Sequence, residues 1–126
     1  MTVIRYGDEL IAGDVKRLLK KYKNITSDLN CSFDNFQNKY LLYHNTSDDS
    51  VYFDELGIKG YEMKIAIKSH GLSKQHGCRL WYLLVPSEKD VIYLPALLFD
   101  CREEAAFPKR VCLEYIKRRL EIFKNS

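Results

Sequence analysis

The apolar positions along this chain fall into two periodicities, and the change between them divides the sequence. Thr2–Tyr6 is a short β-branched and aromatic run and reads as a first strand. Leu10, Ile11, Val15, Leu18, Leu19 and Tyr22 then recur at helical spacing, with Lys16, Arg17, Lys20, Lys21 and Lys23 mostly on the other side. This predicts a helix over Glu9–Tyr22, with Asp8 as its cap. Gly13 inside it costs about 1 kcal/mol relative to alanine. Leu29, Phe33, Phe36 and Tyr40 form a second helical stripe, capped from Thr26, Ser27 or Asp28, so the two helices make a hairpin. Asn45–Asp54 is polar and acidic and reads as a loop.

Beyond that loop the period shortens to two. Tyr61–Lys68 alternates, with Met63, Ile65 and Ile67 on one side and Glu62, Lys64, Ala66 and Lys68 on the other. Arg79–Val85 is apolar on both faces after its first residue, as a central strand should be. Pro86–Asp90 is a turn, and Val91–Phe99 is a third strand. Pro95 cannot donate to a ladder, so that strand must be bulged there or lie at an edge. A last helix follows Pro108, with Cys112, Leu113, Ile116, Leu120 and Phe123 on its apolar face. The order β-α-α-β-β-β-α describes one α+β domain over residues 1–126: a small antiparallel meander with an N-terminal helical hairpin and a C-terminal helix.

Composition narrows the class. A chain of 126 residues buries about two thirds of its unfolded surface and needs neither metal nor disulfide to fold. The N-terminus turns acidic and polar too early for a signal peptide, and no apolar run is long enough to span a membrane, so a cytoplasmic protein is expected. Cys31, Cys78, Cys101 and Cys112 show no CxxC spacing and read as reduced thiols. The formal charge of +3 is unevenly spread. Residues 1–24, 59–79 and 108–126 are net basic; 25–58 and 80–107 are net acidic. A fold that gathered the basic blocks on one face would create a nucleic-acid footprint.

In residue pattern, GYEMKIAIKSHG, then CRLWYLLVPSEKDVIYLPALLFDCREE, then a basic amphipathic helix resembles the RelE/ParE superfamily of bacterial toxins. Members carry a basic strand, an arginine opening the next strand, a hairpin, an apolar strand and a basic stretch near the last helix. The resemblance implies a toxin of a type II toxin–antitoxin system. It implies mRNA cleavage, ribosome-dependent or free, that inhibits translation without metal or cofactor. The partners implied are an antitoxin, RNA and the ribosome. Such cleavage drives a ribose 2′-OH onto its own phosphate, which requires a base, an acid and positive charge at the phosphorane. By this resemblance Lys64, Arg79 and Arg102 fall at family basic positions. Lys68, His70, Lys74 and His76, in the connection before Arg79, add phosphate-binding and proton-transfer candidates. Glu62 and Ala66 stand where catalytic members have lysine and arginine, and only Phe107 and Pro108 stand near the family's C-terminal tyrosine or histidine. Two alternatives therefore stay open: a non-catalytic member of the fold, gyrase-directed or inactivated, and an unrelated small protein-binding module.

Overall fold

The computed structural model describes residues 1–44 and 49–126. Strand β1 (Thr2–Arg5) leads through a 3-10 turn (Asp8–Ile11) into helix α1 (Ala12–Leu19), and helix α2 spans Ile25–Tyr43. Strands β2 (Ser50–Glu55), β3 (Ile58–Ile65), β4 (Cys78–Pro86) and β5 (Asp90–Asp100) follow, then helix α3 (Lys109–Lys124). The α+β class, the two N-terminal helices and the C-terminal helix agree with the sequence pattern.

Neither expected side-chain cap forms, since Ile11 and Asn24 precede α1 and α2 without a capping bond, and two expectations about the sheet need correction. The first concerns the expected loop Asn45–Asp54. Its residues 45–48 lie outside the described residues, but Ser50–Glu55 is a strand that pairs antiparallel with β3. Val51, Tyr52 and Phe53 favour strand, and the acidic residues around them disguise it, because an edge strand tolerates charge. The connection is the two-residue turn Leu56–Gly57, with φ of 52° and 81°. Two positive φ values match the twist of a tight hairpin. Leucine is a poor residue for such a turn, so the usual Asn-Gly signal was missing. The second correction concerns the sheet, which is mixed: its order is β1-β5-β4-β3-β2, with β1 parallel to β5 and every other pair antiparallel.

Helices cover both faces. Leu18, Tyr22, Ile25, Leu29, Phe33 and Phe36 of the N-terminal half pack on Met63, Ile65, Leu80, Tyr82 and Leu98. On the opposite face Cys112, Ile116 and Leu120 of α3 pack on Trp81, Leu83, Leu97 and Phe99. Neighbouring residues of β4 and β5 thus enter two different cores, which is why both strands read as apolar runs without alternation. Trp81 is a core residue; its indole N–H donates to Glu62 Oε2 at 2.9 Å and its ring stacks on Tyr52.

Pro95 meets both conditions set by its missing donor. The register against β4 slips between Trp81 and Tyr82, which pair with Leu97 and Pro95 and leave Ala96 as the extra residue. On the other side β1 pairs with β5 only through Tyr93, so β5 runs on as an open edge. Side chains close that edge. The buried Arg119 guanidinium donates to Pro95 O at 3.1 Å. Asp14 accepts from Leu98 N at 3.1 Å, and Arg17 donates to Leu98 O at 3.2 Å. Residues on α1 thereby supply the hydrogen bonds of a missing strand. Among the described residues no helix is long and apolar enough to cross a membrane.

Candidate anion-binding site

The alternation of β4 and β5 decides where each sequence-predicted residue lies. Arg79 pairs with Lys64 on β3 and Phe99 on β5, so its side chain belongs to the α3 face. It is 6% exposed. Its guanidinium donates to Lys74 O at 2.9 Å, Gln75 O at 2.8 Å and Cys78 O at 3.2 Å, and Glu104 lies 3.6 Å from Nε. Five donors in a fixed fork suit this task, because the carbonyls of the Lys74–His76 turn would otherwise lack partners. Lys64 is exposed opposite Arg79, and Lys74 and His76 are exposed on the turn that Arg79 holds.

Arg102 lies on the other face. It follows β5 in a short 3-10 turn and donates to Asp100 Oδ1 at 2.8 Å and to Tyr22 Oη at 2.9 Å. Tyr22 is buried in the core under α1 and α2. The structure therefore does not bring Lys64, Arg79 and Arg102 into one concavity: the first two lie on the α3 side of the sheet, the third on the α1 side.

What surrounds Arg102 is a network that the residue pattern did not point to. Asp100, 2% exposed, accepts from Tyr22 Oη at 2.6 Å and from Lys21 Nζ at 3.1 Å, as well as from the backbone and side chain of Arg102. Burial alone would raise its pKa. The hydrogen bonds from Tyr22, the Arg102 backbone, Lys21 and the Arg102 guanidinium outweigh burial and hold the carboxyl well below the usual carboxylate range. Tyr22 is shifted the other way, upward, first by burial and then by the carboxylate it donates to. Glu103 accepts from Arg17 at 2.7 Å and from Asp100 N at 3.0 Å, which completes a capping box at this turn. Its pKa is lowered: burial opposes the shift, and the Arg17 hydrogen bond overcomes it.

The His70 ring meets the Tyr22 ring edge-on, with centroids 5.0 Å apart. That contact joins two of the basic blocks. The exposed lysines 16, 20, 21 and 23 come from the first, and exposed Lys68 and His70 from the second. Lys21 and Arg102 flank the Asp100 carboxylate from opposite oxygens. Among the described residues Lys16, Lys20 and Lys23 form no ion pair, so their charge remains available to solvent. The arrangement offers cations and a histidine around an ionised, fully hydrogen-bonded carboxylate, a combination that can bind an anion. A proton-transfer role for Tyr22 is disfavoured by its burial and its raised pKa. Of the predicted residues, Arg102 and His70 both meet Tyr22 here, while Lys68 shares the His70 turn but sets its ammonium on Cys31; Lys21, Tyr22 and Asp100 were missed, because no local signal links residues 78 positions apart. No family model, curated protein or solved structure matches the chain.

Proposed function

We propose that the protein is RNA-directed and toxin-like, and that it grips a single-stranded phosphate backbone on the face formed by α1, the Lys68–His70 turn and Arg102. The observation that carries this reading is the Tyr22–His70 contact, which sets two basic blocks of the chain side by side. Exposed lysines position a phosphate backbone without reading sequence, and Arg102 adds a planar fork. The RelE/ParE resemblance supports translation as the process affected and the cytoplasm as the place. The burial of Arg79 favours the non-catalytic alternative over cleavage by Lys64, Arg79 and Arg102. Inhibition then comes from occupancy of RNA or the ribosome. An antitoxin of the kind the resemblance implies would present an acidic segment to the same face.

The test is fluorescence anisotropy with a short single-stranded RNA across a salt series. In the wild type, affinity falls steeply with salt. The Lys16→Glu/Lys20→Glu/Lys23→Glu variant, altered only at exposed positions, lowers the slope of log K against log salt by about 2, near 0.7 per lost phosphate contact. Equal slopes for the two proteins, or no binding in low salt, would reject the reading. A translation extract with mapped mRNA ends separates occupancy from cleavage: new cleavage ends in the wild type would restore the nuclease reading.

A further inference from the structure

The end of the sheet opposite Arg79 and Arg102 carries a cavity of about 330 Å³ on the α2 face. That volume falls at the low end of the range for small-molecule sites. Leu84 and Val91, both buried, give it an apolar floor. Two tyrosines form its wall. Tyr61 is 5% exposed and its ring stacks on Tyr82, while Tyr40 stacks on Phe36. Among the described residues neither phenol hydroxyl has a hydrogen-bond partner. A buried tyrosine ordinarily gives its hydroxyl one. The Tyr40 pKa is raised, first by burial and then by the neighbouring Tyr61, so this phenol stays protonated and able to donate. Lys59 and His44 stand exposed at the mouth. Lys59 is two residues before Tyr61 on β3, hence on the same face, and lies 4.0 Å from the exposed Asp54, a pair of little strength. His44 ends α2 with φ of 53°, in the left-handed region where glycine is usual. Leu56, next to the lining residue Gly57, is the other non-glycine residue with positive φ among those described. Such strain clusters at ligand sites. Among the described residues no carboxylate lines the cavity.

We propose that this cavity is a binding site for a small aromatic carboxylate. The ligand ring covers Leu84 and Val91 and meets the tyrosine rings, where contacts between rings add to burial. The carboxylate takes its charge partner from Lys59 and further donors from His44 and the free phenol hydroxyls. The lining selects a negative head because it offers one fixed cation, one imidazole and two hydroxyls, with no acidic group to repel it. Stacking on Phe36 and Tyr82 holds both phenols in place before the ligand arrives, which lowers the ordering cost of binding. The site stands apart from the RNA-directed reading, since it lies at the other end of the sheet from Arg102.

The experiment titrates benzoate into the isotopically labelled full-length protein and follows its backbone amide resonances, with benzamide as the neutral analogue of the same shape. Benzoate is expected to give saturable shifts at Gly57, Lys59, Tyr61 and Val91 with a Kd of about 1 mM, ordinary for a one-ring ligand. Benzamide should bind about fivefold more weakly, the worth of a cation at a solvent-open rim. Lys59→Met lowers benzoate affinity by the same factor and leaves benzamide unchanged. Tyr61→Phe keeps the ring, removes one donor and weakens benzoate. Absence of saturable shifts, shifts confined to the lysines of α1, or equal affinity for the two ligands overturns the proposal, and so does unchanged benzoate affinity in Lys59→Met. Should Tyr61→Phe lose its fold, the same spectra will show it, and the wild-type ratio and the exposed Lys59→Met substitution decide. The Lys16→Glu/Lys20→Glu/Lys23→Glu variant keeps the benzoate shifts, so failure here and failure of the RNA reading are distinguishable.

Discussion

Arg79 and Arg102 stand at the same end of the antiparallel β4–β5 pair, one opening β4 and the other just past the end of β5, and the sequence makes them equals: each sits at a strand boundary. The fold treats them differently. Arg79 is turned into the α3 side, where three backbone carbonyls take its donors. Arg102 has a half-exposed side chain shared between a carboxylate and a phenol. The difference follows from what each strand end lacks. The turn after Lys74 presents carbonyls without partners, and a guanidinium is the side chain able to satisfy several at once. The end of β5 presents a buried carboxylate, which needs positive charge nearby but leaves part of that charge facing solvent. One arginine thus builds the scaffold, and the other keeps about half of its side chain toward solvent.

The sharpest way to break this comparison is Arg79→Ala. It strands the carbonyls of the turn and is expected to cost about 3 kcal/mol in chemical denaturation, while RNA affinity of the folded fraction stays unchanged. A matching loss of affinity would mean that Arg79 serves the ligand after all. Next in size is Asp100→Asn, expected to cost about 2 kcal/mol by weakening the charge-assisted bonds from Tyr22, Lys21 and Arg102. This variant also carries a pH signature. The folded Asp100 carboxyl lies below its usual value of 3.8, so its stabilisation is complete above that pH and is lost as pH falls. Wild type should therefore lose more stability than Asp100→Asn between about pH 5 and pH 2. Parallel curves would show that the network is not coupled to that proton. Arg102→Ala is expected to be mild for stability, since the pair is half-exposed to solvent, yet to weaken RNA binding measurably at low salt. The smallest effect should come from Lys64→Ala, within about 0.5 kcal/mol of wild type and neutral for binding, since Lys64 lies on the opposite side of the sheet from the proposed contact face.

Long periodic segments were legible in the sequence. The apolar stripe of α2 and the continuous apolar runs of β4 and β5 state their structure locally, and the Pro95 bulge follows from one missing N–H. Strand β2 was not legible, because acidic neighbours and a Leu-Gly turn conceal a strand of only six residues. The site was half legible. Arg102, His70 and Lys68 stood out by residue type, but a basic residue's role depends on which face of the sheet it takes, and Arg79 shows how a strand boundary can send one inward. Tyr22 read as one more apolar helix position and Asp100 as a strand end; their hydrogen bond is a product of tertiary packing alone. The parallel pairing of β1 with β5 was likewise invisible, since a four-residue strand carries no information about its partner.

The borrowed hydrogen bonds at the free margin of β5 have a consequence for the protein in crowded solution. Asp14 and Arg17 occupy the groups that an incoming strand from another molecule would use, so α1 acts as a guard on an unfinished ladder. Any event that lifts this short helix from the sheet uncovers a run of leucine, alanine and phenylalanine with its main chain unsatisfied. Self-association should then begin at this margin rather than at β2, whose acidic residues and bulged register repel recruitment.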